Sequence, residues 1–567
     1  MEEERGTAGR SLFSRRLAEI GPGDESGRRW IFVPCDQLTD RVGPLARRDP
    51  GETGIVLVES PWKAGRRPYH RQKLALVLAN LRHFALEQAR RGVAVRHVVA
   101  DGPYREALGP VARELGPLTV MEPAERELRV DLAPLAEEDL LEVVPHEGWL
   151  TTREQFGQSQ DGGPPWRMDA FYRRVRRDTG LLMENGSPAG GKYSHDTENR
   201  ERWGGDPPSP DPPRFEPDEI TREVRDLVNS RFGRHPGRVD AARLPATREH
   251  ADRLWDWALD RCLEHFGPYE DAMSRRSPGL FHTRVSPLLN LHRLLPERVV
   301  RDAAASDAPL NSREGFVRQV LGWREFVRHV HRATDGFRDL PDADLERSVP
   351  GPGDGGWGRW AEDEWGPTGA PAPGMEGAAA PSFLGADGPL PEAWWGETSG
   401  LACLDSVVED VWEEAWSHHI TRLMVLSNVA QLLEVSPREL TDWFWVAYED
   451  AYDWVVEPNV LGMGTFAAGD LMTTKPYVSG SNYIDRMSDY CEECRFDPGT
   501  DCPLRRLYWA YLDRHADELE DNRRMSLPLA NLSRRGAEDR ALDRDVFRWA
   551  RETLDRGDEL RPADQPT

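Results

Sequence analysis

Four of the six cysteines fall between positions 403 and 502: Cys403 alone, then Cys491, Cys494 and Cys502 in the run YCEECRFDPGTDCP. A C-x2-C-x7-C-P run with one distant cysteine can bring four thiolates to a single metal centre. The close pair clamps one side, a short loop returns the third, and a helix delivers the fourth. Four thiolates suit Zn(II) or an iron–sulfur cluster, and spacing alone does not choose between them. The aromatic surroundings, with WFW at Trp443, Phe444 and Trp445, favour a redox centre. Ordinary buried thiols would give no reason for so tight a group. Cys35 and Cys262 lie outside it and read as structural. Between the cysteines sits a doubled histidine, His418 and His419, whose side chains change charge near neutral pH.

Such scattered groups need a large scaffold to meet. The chain has 567 residues, room for two or three domains, and its 38% hydrophobic content with 20 Trp supplies a substantial core. No apolar run approaches the ~20 residues of a membrane span, and the opening MEEERGTAGRSLFSRR lacks the apolar core of a signal peptide. A cytoplasmic location and a monomer are expected. Disulfides are disfavoured there, so clustered cysteines point to metal. A net charge of −25 argues against nonspecific wrapping of nucleic acid by the whole surface, though a local basic face stays open.

Residues 1–28 read as a disordered tail. Across 29–156, the runs WIFVP, GIVLVES, VAVRHVVA, LTVMEP and LEVVPH alternate with helix-like stretches at 70–91 and 103–115. Leu74, Val77, Leu78, Leu81 and Leu86 share one face at helical spacing. This alternation predicts an α/β domain with a Rossmann-like parallel sheet. It has no G-x-G-x-x-G, but Asp36 follows the first strand, where such sheets bind ligands or where a loop needs a cap. Residues 157–245 form a Pro/Gly-rich linking region with short helices, one of them basic at FYRRVRRD. From 246 to 540 the pattern is all-helical. In it, Ser436, Pro437 and Glu439 spell a capping box, and a Gly/Pro/Ala-rich insertion at 340–392 reads as a surface excursion or flap. A C-terminal helix and tail occupy 541–567.

Taken together, SPGLFHTRVSPLLN, QVLGWREFVRHV, EEAWSHHITRLMVLSNVAQLL, AYEDAYDWVVEPNVLGMGTFA, TKPYVSGSNYIDRMSDYCEEC and CPLRRLYW resemble the prokaryotic, iron–sulfur-containing photolyase-related proteins of the photolyase/cryptochrome superfamily. The resemblance runs from about Trp30 to about Arg540. It implies an α/β antenna domain followed by a larger all-α domain that holds FAD beside a [4Fe–4S] cluster ligated by the four cysteines. It also implies action on UV-damaged DNA: repair of pyrimidine (6-4) pyrimidone lesions under blue light, or alternatively photoreception with the same cofactors.

The resemblance assigns further roles by position. Thr283, Arg284 and Ser286 would grip the FAD phosphates, with Asn290 and Gln319 near the same pocket. Arg324 and Arg422 fall beside the flavin, Asp450 can pair with Arg422, and Asn459 matches the polar groups around the ring, with Val456 where some relatives carry a polar residue. His419 would donate the proton that the lesion's hydroxyl transfer needs, with His418 orienting it. Tyr477 and Tyr483 would line the lesion pocket. Trp395 and Trp443 would relay electrons to the flavin, with Phe444 where some relatives have tyrosine. Relatives bind 6,7-dimethyl-8-ribityllumazine as antenna. Here Asp36, Gln37, Leu38 and Glu59 are retained, but Lys63 and Arg66 stand where relatives place an acidic residue and a tyrosine. The lumazine, another and more anionic antenna, or an empty site all remain open. Magnesium is linked to the branch, and no carboxylate cluster in the sequence marks its place.

Overall fold

The computed structural model describes residues 11–21, 25–349 and 377–567. Five short strands make one parallel sheet: β1 (Arg29–Phe32), β2 (Thr53–Glu59), β3 (Ala94–Val99), β4 (Leu118–Met121) and β5 (Leu141–Val144). Their order is β3-β2-β1-β4-β5, with Ile31 of β1 in register with Ile55 of β2 and Thr119 of β4. All seven residues of β2 are buried, as expected of a strand covered on both faces. The strand order reverses at β1, so the crevice beyond the carboxyl ends of β1 and β4 is the topological switch point where such sheets take ligands. The Rossmann-like reading therefore holds.

Helix Arg71–Arg90 forms where the periodicity places it, but it is not the one-faced helix expected. Leu81, Phe84, Ala85, Leu86 and Ala89 join the core beneath the sheet with Ile31, Ile55 and Leu57. Ala75, Leu76 and Ala79 join a second core with Phe171, Trp255 and Phe326 from the helical part of the chain. Leu74, Val77 and Leu78 are only half-buried. Burial on two sides erases amphipathicity, so one face could not be inferred correctly from hydrophobic spacing. Within this helix, Lys73 Nζ donates to the carbonyls of Trp445 (2.9 Å) and Ala451 (2.5 Å), tying the two halves together.

The expected disordered tail is corrected over Leu12–Ile20, which is a helix capped by Ser11. Phe13 is fully buried with its ring edge-on to His97, and the Glu223 carboxylate accepts from the amides of Leu12 and Phe13. A single large apolar anchor and a satisfied helix start suffice to order so short a segment. In the linking region the basic helix is Met168–Thr179. Its Arg176 is wholly buried and donates to the carbonyls of Leu181, Leu182 and Tyr193, so that arginine closes a loop and does not present a basic face.

The capping box at Ser436 does not form. Helix Pro437–Ala447 starts there, but the Ser436 side chain makes no capping bond, and Glu439 accepts instead from the amide of Leu390 (2.6 Å). A tertiary partner outcompetes the local one. The same contact bears on the 340–392 insertion. Residues 350–376 lie outside the described residues, but the flanks are docked: Ser348–Val349 pairs with Ala378–Ala379, and Leu390 is buried. Among the described residues no helix is long and apolar enough to cross a membrane.

Among the described residues, four wide, i→i+5 helical turns interrupt the helical half, at Ala258–Cys262, Arg318–Arg324, Arg422–Ser427 and Pro458–Gly464. Such bulges re-aim side chains and recur at functional sites. Gln319, Arg324, Arg422 and Asn459 all lie in them.

Candidate functional site

The hub of the helical half is a buried ion pair. Arg422 donates from both Nη atoms to the two carboxylate oxygens of Asp450 (3.1 and 3.0 Å), and from Nε to the Ser417 carbonyl (2.9 Å). Ser286 Oγ donates to Asp450 Oδ2 (2.7 Å), and Asn290 Nδ2 to the Asp450 carbonyl (2.8 Å). The Arg422 guanidinium lies 4.1 Å from the centre of the Tyr448 ring. Burial pulls this guanidinium's pKa down, but Asp450 more than restores it, so the guanidinium stays charged. Nearby Glu449 is pushed up to about 8, first by burial and then by Asp450. A paired, bidentate guanidinium in a low-dielectric interior is costly to assemble and is best suited to orienting a charged or polar ligand.

The other expected cofactor residues divide. Arg324 reaches Leu289 O (3.1 Å) and sits 4.1 Å over Trp149, beside Asn290. Arg284, held in the left-handed region at φ 54°, pairs with Glu414 (2.6 Å) and lies over Trp416 (4.4 Å). Thr283, next to Arg284 in the loop before helix Ser286–Asn290, is buried. Two residues are not brought to the hub. Gln319 donates to Glu270 (2.5 Å), and Asn459 bonds back to Val455 O in its own turn (2.7 Å), one residue before the buried Val456.

A third imidazole joins the histidine pair. His282, from the loop before Arg284, stacks on His418 with centroids 4.5 Å apart and planes 6° apart, and meets His419 edge-on at 5.5 Å. Among the described residues, nitrogen atoms of these three rings all lie within 4.8 Å of one another. His282 Nε2 and His418 Nδ1 are buried without a hydrogen-bond partner, and burial holds both rings neutral. His419 is the half-buried member, its side chain 41% accessible, and its Nε2 lies 3.8 Å from Asp271. Burial and the neighbouring Glu270 and Asp196 push Asp271 up to about 7. The same carboxylates reach the tyrosines: Asp271 raises Tyr483 and Asp196 raises Tyr477, each after burial itself. Tyr477, Tyr483 and His419 thus border one half-open, acid-rimmed patch. His282 was not singled out from the sequence. Its only signal there is the FHTR run next to Thr283.

An aromatic ladder reaches the hub through Tyr448. Trp395 stacks on Trp412 (5.3 Å, 20°), Trp412 meets Trp443 edge-on (6.0 Å), and Trp443 meets Tyr448 (6.0 Å), the ring under Arg422. Trp412, absent from the sequence-level assignment, is the rung between the two tryptophans expected. Phe444 stacks on Tyr448 (5.3 Å) as a side branch.

The four cysteines are carried on three segments that pack into one core. Cys403 opens helix Ala402–Glu414, Cys491 lies in the turn Tyr490–Glu493, Cys494 N donates to Cys491 O, and Cys502 immediately precedes helix Pro503–Arg514. Burial raises the Cys403 thiol far above its usual range, and the other three cysteines raise it further. Cys491 and Cys502 are pushed up to about 12 by burial, with their neighbours in the set adding to it. Four sulfur donors gathered in one buried core are a donor set suited to a cationic metal centre. They share one core with Trp394, Trp443, Phe444, Tyr490 and Phe496.

In the sheet domain, Gln37 Nε2 donates to Met121 O (2.8 Å) and the Leu38 amide to Leu291 O (2.9 Å), so both tie loops together. Both oxygens of Glu59 are taken by Arg82 (2.7 and 3.0 Å), with His97 at 3.0 Å. Asp36 is buried with one carboxylate oxygen unpartnered.

This architecture matches known proteins. Residues 31–244 match the family model described as deoxyribodipyrimidine photo-lyase-related protein. A protein of Agrobacterium fabrum named (6-4) photolyase is 32% identical over 523 residues, covering 89% of this chain and 95% of that protein. The fold resembles a bacterial class III photolyase of Agrobacterium tumefaciens (TM-score 0.51, 15% identity, 93% of this chain and 98% of that one). It also resembles a Synechocystis cryptochrome (TM-score 0.50, 13% identity, 77% and 82%). With identity at that level over nearly the whole length of both chains, joined to an α/β sheet domain and a helical half built around Arg422 and Asp450, this chain belongs to the photolyase-related family of the photolyase/cryptochrome superfamily.

Proposed function

We propose that the protein repairs pyrimidine (6-4) pyrimidone photoproducts in DNA, using light and a bound flavin. The observation that carries this reading is the Arg422–Asp450 hub, which the ladder of Trp395, Trp412 and Trp443 reaches through Tyr448, together with the packed imidazole group of His282, His418 and His419. The relative named (6-4) photolyase favours repair over photoreception.

Flavin, when bound, supplies the light-driven electron. The chain's own residues do the rest. Arg422, held by Asp450 and Ser286, gives a fixed cation for the electron-rich edge of the ring, while Arg324, Arg284 and Thr283 border the remainder. His419 faces the accessible patch and is the proton donor to the hydroxyl that the lesion must return to its partner base. His418 and His282 hold the position of the donor by ring packing. Tyr477 and Tyr483 receive the extruded bases, for which stacking is the sequence-tolerant contact. Trp443, Trp412 and Trp395 carry electrons inward from the surface side of the ladder. The thiols of Cys403, Cys491, Cys494 and Cys502 hold an iron–sulfur cluster, a reading supported by their shared core and its aromatic setting.

The test is anaerobic illumination of the protein with an oligonucleotide bearing one (6-4) lesion, alongside one bearing a cyclobutane dimer. Light-dependent loss of the (6-4) lesion is expected. Flavin bleaching without lesion loss would overturn the reading. Cys491→Ser should lower bound iron below half of the parent's, and an unchanged iron content would remove the ligand assignment.

A further inference from the structure

The three imidazoles at the acid-rimmed patch have more donor capacity than proton transfer by one of them uses. They come from two segments: His282 from the loop before helix Ser286–Asn290, His418 and His419 from the start of helix His419–Thr421. One nitrogen of each ring lies within 4.8 Å of the other two. His282 is 7% exposed and His418 3%, and His282 Nε2 and His418 Nδ1 have no hydrogen-bond partner. Stacking at 4.5 Å satisfies the faces of these two rings but not their edge nitrogens. Polar atoms buried without a partner are rare in folded proteins, and two of them side by side point to a shared ligand.

The groups behind the rings suit a metal ion. The Glu270 backbone carbonyl accepts a hydrogen bond from the His282 ring. Since Nε2 makes no bond, Nδ1–H is the donor, and Nε2 keeps its lone pair. His419 Nε2 lies 3.8 Å from Asp271 Oδ1. A carbonyl or carboxylate behind an imidazole is the usual outer support of a metal-bound histidine, fixing its tautomer and strengthening it as a donor. Charge does not oppose a cation here, because each guanidinium nearby stands against a carboxylate. Arg422 pairs with Asp450, Arg284 with Glu414, Arg318 with Glu270, and Arg200 lies 3.7 Å from Asp271. Three imidazole nitrogens select zinc, nickel or copper over magnesium, which takes oxygen donors in an octahedron.

We propose that His282, His418 and His419 together bind a late first-row divalent cation, Zn(II) above all, and that the bound ion blocks repair. Zn–N bonds of about 2.0–2.1 Å in a tetrahedron set the nitrogens about 3.3 Å apart, with the fourth position open to water. The rings therefore close in from separations of up to 4.8 Å, and the near-parallel pair tilts out of its 6° stack so that both lone pairs meet the ion. His419, half-buried, has the room to move. The ion takes the lone pair of each ring, and any proton on the ligating nitrogen of His419 leaves to solvent as the bond forms. A metal-bound His419 has no proton to give the lesion. Binding is measured in the dark and without DNA, so it stands apart from the repair reading, and only the block rests on His419 as donor.

The test dialyses tag-free protein, with the flavin and iron it carries, against zinc held at fixed free concentrations by a chelator, with magnesium in excess. Zinc and iron are then counted, and zinc-edge X-ray absorption reads the neighbours of the ion. One zinc per chain is expected, with nitrogen at about 2.0–2.1 Å and iron unchanged. His282→Phe and His418→Phe, which keep a ring to stack but lose the nitrogen, should each weaken zinc binding at least about 100-fold. Asp271→Asn, which removes an outer partner, should weaken it about tenfold. Circular dichroism checks that each variant is folded, and either phenylalanine variant suffices if the other is not. Saturating zinc should stop light-driven (6-4) repair, and excess chelator should restore it. Sulfur neighbours at about 2.3 Å with iron lost, displacement of zinc by magnesium, or parental zinc affinity in a folded phenylalanine variant would each overturn the site. Repair at the parental rate with zinc bound would overturn the block, whereas no repair even without zinc would count against the repair reading and leave the binding result standing.

Discussion

Replacing Asp450 with Leu tests whether the Arg422–Asp450 pair is a positioned functional charge that the fold must compensate. The substitution removes both bonds to Arg422 (3.1 and 3.0 Å) and the acceptor for Ser286 Oγ (2.7 Å). Breaking a buried pair from one side costs about 3–5 kcal/mol, because the remaining ion is left desolvated. The Arg422 side chain retains 23% accessibility and its bond to Ser417 O (2.9 Å), which favours the lower end, about 3 kcal/mol. The stranded Ser286 hydroxyl adds about 1 kcal/mol. A loss of about 4 kcal/mol is a large share of a domain's typical 5–15 kcal/mol. Removing both charges, in Asp450→Leu with Arg422→Met, strands no ion and should recover about 2–3 kcal/mol of that loss. Urea midpoints from tryptophan fluorescence, for parent, single and double variants prepared without added flavin, measure this directly. Neither variant should retain FAD when it is supplied. A double variant as unstable as the single would refute the compensation argument, and full FAD retention by Asp450→Leu would refute the placement of the ligand.

His419→Ala should abolish light-driven (6-4) repair by at least 100-fold while FAD stays bound, and repair at parental rate would remove His419 as donor. Because burial lowers the His419 pKa and a donor must be protonated, repair per absorbed photon should rise as pH falls from 8 to 6 in the parent, a trend measurable by lesion analysis at fixed light dose. Trp412→Phe should slow photoreduction of bound FAD by an external thiol at least tenfold and leave transient tryptophan-radical absorption confined to short times; an unchanged photoreduction rate would take Trp412 out of the ladder. Glu59, held down to about 2 by His97 and Arg82 against its burial, has a lowered folded-state pKa, so its contribution is complete above pH ~4.5 and is lost as pH falls towards 2. Acid titration of Glu59→Gln should therefore show roughly 3 kcal/mol less pH-dependent stability over that window than the parent.

Much of this molecule could be read from local order in the chain. The five apolar runs and the two helices between them emerged because strand and helix periods are set by neighbouring residues. The cysteine set was visible because three of its members lie within one short loop. Reading failed where a distant partner won a local contest. Glu439 caps nothing because Leu390 claims it, Phe13 orders a segment that composition marks as tail, and helix Arg71–Arg90 serves two cores at once.

The amino-acid order alone determined the two-part architecture, the family resemblance, and which histidines, cysteines and arginines could do chemistry. Only the folded arrangement decided that His282 stacks on His418, that Trp412 fills the gap between Trp395 and Trp443, and that Glu59 is already committed. The reason is physical: propensity and spacing are properties of adjacent residues, whereas the partner of a buried charge or ring is chosen by packing between segments hundreds of positions apart.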